Sequence, residues 1–184
     1  MSLQGKTVVL GVTGSIAAYK APSLARKLQS RGAEVIVVMT EAGSKLVHPL
    51  TFRSLTGKPV PVDMFDPVTD WQIEHISLAE KADLVLIAPA TANTIGKIAN
   101  GIADTLLTCT VMATKATVLI APAMNVNMYE NPIVQANLEK LQGVGYHIIQ
   151  PKVARLATGI EARGALADLD EIVRRVEELL NAGD

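Results

Sequence analysis

Two residues of this chain carry side chains suited to a reacting centre. His75 stands at the entry to a short helical stretch, Ile73-Glu74-His75-Ile76-Ser77-Leu78. An imidazole with an ordinary pKa of about 6.5 takes or gives a proton at neutral pH. The plainer reading is a histidine at a helix end or on the surface. Asn125 closes Pro122-Ala123-Met124-Asn125; its amide offers donors and an acceptor in one fixed plane. Its plainer reading is a turn or helix cap. Two small polar clusters add anion chemistry. Gly14 and Ser15 open a helix, and Ala90-Thr91-Ala92-Asn93-Thr94 opens another. Unpaired N–H groups at such starts suit a phosphate, and at the second cluster also the polar edge of a flavin ring. Thr40 could add a hydroxyl to the first anion site. A glycine needed only for a tight turn explains Gly14 equally, and N-capping by Thr91 or Asn93 explains the second cluster.

The elements that position these residues follow from hydrophobic pattern. Thr7–Val12, Glu34–Met39, Ala82–Ala88 and Thr117–Ala121 are short apolar, β-branched runs, and Tyr146–Ile149 is a fifth strand. Pro89 and Pro122 end two of them, because proline has no N–H for a ladder. Helices are expected over Ile16–Gln29, from Pro49 to Leu55, and over Ile95–Asn100, Asp104–Ala113, Pro132–Leu141 and Leu169–Leu180, with Asp168 as the last cap. Strand, helix, strand is the βαβ unit of a parallel sheet. The polar clusters then lie at the carboxyl ends of strands, where open α/β sheets bind ligands. Pro151–Asp168 reads as a long loop, a lid or binding element, with Arg155 as its ligand candidate.

Composition excludes several functions. The 184 residues suit a single domain with an aliphatic core, since 49% are hydrophobic and only 3% aromatic. A formal net charge of −1 without charge runs gives no pull toward nucleic acid or an anionic membrane. Cys109 is the only cysteine, which rules out an internal disulfide and a cysteine metal cluster; no metal site is expected. No apolar run reaches a membrane span, and Met1–Lys6 is unlike a signal peptide, so a cytoplasmic protein is expected. Gly11 and Gly14 are spaced G-x-x-G rather than G-x-G-x-x-G, which demotes an NAD enzyme even though Glu41 could serve a ribose.

The stretches GVTGSIAAYKAP, VVMTEA, EHISLAEKADLVLIAPATANTIGKIANGIAD and IAPAMNVNMYENP together resemble the homo-oligomeric flavin-containing cysteine decarboxylases. The resemblance runs from about residue 5 to about residue 175. PAMN is closer to the phosphopantothenoylcysteine branch than to the peptidyl-cysteine branch. The resemblance implies a doubly wound, Rossmann-like parallel sheet of flavodoxin type in one domain, residues 1–184, with a C-terminal substrate flap over about 151–168. It implies FMN contacts from Gly14, Ser15, Ile16, Thr40, Thr91, Ala92, Asn93, Thr94 and Ala123. His75 becomes the catalytic histidine and Asn125 the holder of the substrate carboxylate. Arg155, Leu156 and Ala157 fall in the flap. The partners it implies are a small-molecule or peptide cysteine substrate and further copies of the chain, as a homotrimer or a multiple of trimers.

The implied chemistry is decarboxylation of a cysteinyl carboxylate made feasible by oxidation of the neighbouring CH₂–SH, as in coenzyme A biosynthesis from 4'-phosphopantothenoylcysteine to 4'-phosphopantetheine. One departure matters most. In the phosphopantothenoylcysteine branch the flap reads approximately G-R-L-A-C-G and later G-x-G-R, whereas here it is Ala154-Arg155-Leu156-Ala157-Thr158-Gly159 and then Ala162-Arg163-Gly164-Ala165, so Thr158 stands for the cysteine and Ala165 for the arginine. A thiol of pKa about 8.5 can give the final proton at neutral pH; the Thr158 hydroxyl is far too weak an acid. The expectation is therefore decarboxylation that tends to stall at the enethiol. Two alternatives stand beside it: a peptidyl-cysteine decarboxylase, which stops at the aminoenethiol, and a non-catalytic flavin-binding or regulatory subunit.

Overall fold

The computed structural model describes residues 2–64, 74–155 and 161–182. The chain opens with β1 (Thr7–Val12), then a 3-10 turn over Ile16–Lys20 that runs into α1 (Ala21–Ser30). The expected single helix is divided because Pro22 has no N–H to offer the carbonyl four residues back. Next come β2 (Glu34–Met39), α2 (Glu41–Ser44) and α3 (Pro49–Thr56), the last closed by Gly57 at φ 70°. After α4 (Glu74–Lys81) follow β3 (Leu84–Ala90), α5 (Ala92–Ala99), α6 (Leu106–Ala113) and β4 (Thr117–Pro122). The remainder is α7 (Val126–Tyr129), α8 (Pro132–Gly143), β5 (His147–Ile148), a hairpin of β6 (Lys152–Arg155) and β7 (Glu161–Ala165), and α9 (Leu169–Asn181).

Strands β1 to β5 form one parallel sheet in the order β2-β1-β3-β4-β5. This is the flavodoxin-type order, with its switch point between β1 and β3. Both faces are covered, which is why the strands read as continuous apolar runs. Alternate residues serve opposite layers. Val8, Leu10, Leu84, Leu86 and Leu119 pack with α1, Phe52 of α3, and α9. Val9, Val85, Ile87, Val118 and Ile120 pack with α5, α6 and α8. Gly11 is a glycine for the second layer's sake: a Cβ there would lie 2.5 Å from Leu107 Cδ1.

The last helix completes the layer begun by the first. Ile172, Val173, Val176 and Leu180 of α9 share a buried cluster with Leu3, Leu24 and Leu28. Arg31 donates to the buried Glu177 carboxylate at 2.9 Å, and Lys27 pairs with Asp170 at 2.6 Å. Asp168 occupies the N-cap position of α9, but its side chain takes Lys152 rather than a cap N–H. No helix among the described residues is long and apolar enough to cross a membrane.

Two further expectations change. The segment expected to be an irregular loop contains the β6–β7 hairpin, whose ladder pairs Val153 with Arg163 and Arg155 with Glu161. Its strands carry charge and glycine instead of an apolar alternation, so nothing in the pattern announced them. β3 and β4 also continue through Pro89 and Pro122 to an Ala90–Pro122 pairing, past an irregularity after Ile87. Pro89 sits inside that irregularity, where the regular ladder is already interrupted, and Pro122 is the last residue of β4.

Candidate functional site

The ladder between β1 and β3 stops at Gly11 and Ile87. Beyond it the two chains turn to opposite layers: Ala17, Ala18 and Ala21 enter one, Ile95 and Ile98 the other. This parting opens a crevice of about 540 Å³ at the carboxyl edge of the sheet, a size usual for small-molecule sites.

Two helix starts face each other across it. On one side are Gly14, Ser15 and Ile16, on the other Thr91 and Ala92. Each start spends its hydroxyl on its own cap. Ser15 Oγ accepts from Ala17 N–H at 3.3 Å, and Thr91 Oγ1 accepts from Thr94 N–H at 3.3 Å. The N–H groups of Gly14, Ile16, Ala92 and Asn93 have no partner among the described residues. Unspent N–H groups at two helix starts favour an anion or the carbonyl edge of a ring. Lys20 adds a cation to the lining, with its ammonium 5.7 Å from the Tyr19 ring centroid.

The β4 end supplies the third wall. Ala123 N–H donates to Ala90 O at 3.0 Å, and Met124 N–H to Gly164 O at 2.9 Å, so this loop is stitched to β3 on one side and the hairpin on the other. Asn125 caps α7: its Oδ1 accepts from Asn127 N–H at 2.9 Å. A backbone N–H requires the amide oxygen, so the Asn125 NH₂ is left as a donor at the crevice. Tyr129 holds α7 from below, donating its buried hydroxyl to Gln150 Oε1 at 2.6 Å. Met124, Met128 and Leu166 make this wall largely apolar.

The crevice thus gathers Gly14, Ser15, Ile16, Thr91, Ala92, Ala123 and Asn125 from the residues singled out by sequence. Others stand behind or away from it. Thr94 is buried, with its hydroxyl 3.1 Å from that of Thr91. Asn93 is exposed. Thr40 caps α2 by accepting from Gly43 N–H at 3.1 Å. That helix abuts the β1 turn so closely that a Cβ on Gly14 would lie 2.6 Å from Ala42 Cβ. Glu41 pairs with Lys45 at 2.7 Å, whose hydrogen bond and charge hold the Glu41 carboxyl below its ordinary range. Glu41 is not among the residues that line the crevice.

His75 lies half-buried in the first turn of α4, which packs through Leu78 against the layer of α5 and α6. It is not part of the crevice wall in a single copy of the chain. Arg155 ends β6, paired through its backbone with Glu161. Leu156, Ala157 and Thr158 lie outside the described residues.

Sequence reasoning missed Tyr19, Lys20, Met128 and the Gly164–Leu166 stretch of the wall. A signal existed for the first two. They follow Ile16 by three and four positions, so they share its helical face, and that face carries two large apolar residues, Ile16 and Tyr19, that stay 67% and 66% exposed. The hairpin contributes through backbone, which side-chain patterns do not encode.

Comparison with known proteins bears on the family and the fold. Residues 1–181 match the family model described as Flavoprotein. The chain is 47% identical over 176 residues to the coenzyme A biosynthesis bifunctional protein CoaBC of Bacillus subtilis (strain 168), covering 96% of this chain but 43% of that protein. The chain therefore spans less than half of that relative's length. It is 46% identical over 177 residues to a probable phosphopantothenoylcysteine decarboxylase of Streptococcus mutans, covering 95% of this chain and 99% of that one. Among solved structures, the FMN-dependent cysteine decarboxylase SpaF superposes with a TM-score of 0.84 at 34% identity, over 97% of both chains.

Proposed function

Because this chain belongs to the flavoprotein family, we propose that it is an FMN-dependent carboxy-lyase acting on a cysteinyl carboxylate, 4'-phosphopantothenoylcysteine, in coenzyme A biosynthesis. The observation that carries the reading is the crevice itself. It combines two N–H-bearing turns, an apolar wall and the unspent NH₂ of Asn125 in one volume of about 540 Å³. That donor set fits FMN: the turns at Gly14–Ile16 and Thr91–Ala92 suit its phosphate and ring edge, and Ala123 and Met124 suit a flat apolar surface. When bound, FMN supplies hydride acceptance from the sulfur-bearing carbon of the substrate and its later return.

The chain's own residues supply orientation and proton handling. The Asn125 NH₂ donates to the substrate carboxylate and holds it out of bulk water, which favours loss of neutral carbon dioxide. Lys20 lines the same crevice from the Ile16–Lys20 turn and suits the anionic end of the substrate. His75 takes the thiol proton. Since His75 stands outside the crevice of one copy, the reading includes a homotrimer or multiple of trimers in which the partner subunit's His75 reaches this crevice. The exposed Ile16, Tyr19 and Met128 at its mouth support such a contact. Arg155, Leu156, Ala157 and Thr158 belong to the flap of this reading, in one cytoplasmic flavoprotein domain.

The test is direct. Purified protein is expected to be yellow, to release FMN on denaturation, and to evolve carbon dioxide from phosphopantothenoylcysteine, while His75→Asn loses carbon dioxide release and keeps FMN. Unchanged release in His75→Asn removes the histidine from the mechanism; colourless protein that takes up no FMN removes the reading. Thr158 favours one second reading, a peptidyl-cysteine decarboxylase that ends at the aminoenethiol. Turnover of a cysteine-ended peptide in preference to phosphopantothenoylcysteine selects it.

A further inference from the structure

Thr13 does not touch the crevice, is fully buried, and makes polar contacts to both of its N–H-bearing turns. Its hydroxyl donates to Pro89 O at 2.7 Å and accepts from Thr91 N–H at 3.1 Å. Its carbonyl accepts from Ser15 N–H at 2.8 Å. The place matters more than the bonds. Main-chain pairing of β1 with β3 ends at Gly11 and Ile87, and from there the two strands lead to opposite layers. Two residues further on, the Thr13 side chain is what joins them. Thr91 in turn caps α5 through Thr94 N–H. A continuous polar path therefore runs from Ser15 through Thr13 to Thr91 and Thr94, binding the two helix starts to each other.

We propose that Thr13 is a positioning residue for the flavin cofactor: it fixes the spacing of the two turns whose free N–H groups must grip one FMN molecule together. The proposal rests on the FMN reading above. A residue needed only for packing here has no use for a hydroxyl. Val12 and Leu10 beside it belong to an aliphatic cluster, and valine matches threonine in shape. With valine at position 13 the sheet keeps every ladder bond of β1, but Pro89 O and Thr91 N–H lose their shared partner, and the turns are free to part.

The experiment measures FMN affinity by fluorescence quenching in apo-protein of the wild type, Thr13→Val and Thr13→Ser. The expected result is a Kd raised tenfold or more in Thr13→Val, with Thr13→Ser within about threefold of wild type because its hydroxyl makes the same two bonds. Equal affinity in Thr13→Val and wild type overturns the proposal and leaves the FMN reading standing; a wild type that binds no FMN overturns the reading itself. If Thr13→Val fails to fold, amide hydrogen exchange on the wild-type apo-protein decides. Thr91 N–H, held by Thr13, is expected to exchange slowly, while Ala92 N–H exchanges fast and slows on adding FMN. A Thr91 N–H as fast as that of Ala92 overturns the proposal.

Discussion

Gly164→Ala tests the way the hairpin is fastened to the loop that carries Asn125. Gly164 sits at φ 151°, and a Cβ built there lies 2.3 Å from Met124 O, 3.4 Å from Val126 N and 3.5 Å from Asn125 C. An ordinary carbon–oxygen contact needs about 3.4 Å, so the hairpin must retreat by roughly 1 Å. That retreat breaks the Met124 N–H···O Gly164 bond, now 2.9 Å, since it would stretch to nearly 4 Å, well outside hydrogen-bond range. The bond is worth about 1 kcal/mol, and the remaining crowding and unfavourable φ add about 1–2 kcal/mol. A docking cost of about 2–3 kcal/mol lowers the ratio of seated to unseated hairpin by roughly 30- to 150-fold. Steady-state decarboxylation should lose kcat/KM by up to that factor. The melting temperature should fall by at most about 10 °C, because β6 and β7 can leave without opening the sheet. Gly143→Ala is the control: it ends α8 with open space around its Cβ, so alanine should be neutral or slightly stabilising. Wild-type kcat/KM in Gly164→Ala would refute the argument that this backbone contact seats the hairpin.

Thr158→Cys should raise the fraction of saturated thiol over enethiol in the product, read by mass spectrometry, since the new thiol can donate a proton at neutral pH; an unchanged product ratio removes proton supply as the limit. Lys20→Met should raise KM for a phosphorylated substrate by roughly tenfold and leave an unphosphorylated analogue nearly unaffected, if the ammonium meets the anionic end. Cys109, whose thiol is pushed up by burial and by the nearby Asp104 charge, should react with iodoacetamide at pH 8 more slowly than a free thiol, because a raised pKa leaves less thiolate, and should reach the free rate on unfolding.

The sheet was legible in the chain because both its faces are buried, and runs such as Thr7–Val12 and Glu34–Met39 match their strands to the residue. The polar clusters after β1, β3 and β4 were legible because small polar residues behind an apolar run mark strand ends. What stayed hidden depends on bonds between distant parts. The hairpin is held by Met124 N–H and its own ladder, α7 is four residues long and defined by the Asn125 cap, and α5 begins three residues earlier than periodicity suggested because Thr91 spends its hydroxyl on Thr94. The absence of His75 from the crevice lining was equally hidden, since no spacing rule tells where a helix start will lie relative to a distant strand end.

The pairing of α1 with α9 bears on how such a molecule comes into being. Leu24 and Leu28 meet Ile172 and Val176 across a long stretch of chain, so the part of this layer that α9 covers stays open on a nascent polypeptide until residues 169–181 have been made. Closing so long a loop is entropically slow. Clipping within the final helix should therefore unsettle the flank built from the earliest residues first, while α5, α6 and α8, which cover the other flank from the middle of the chain, keep their hold.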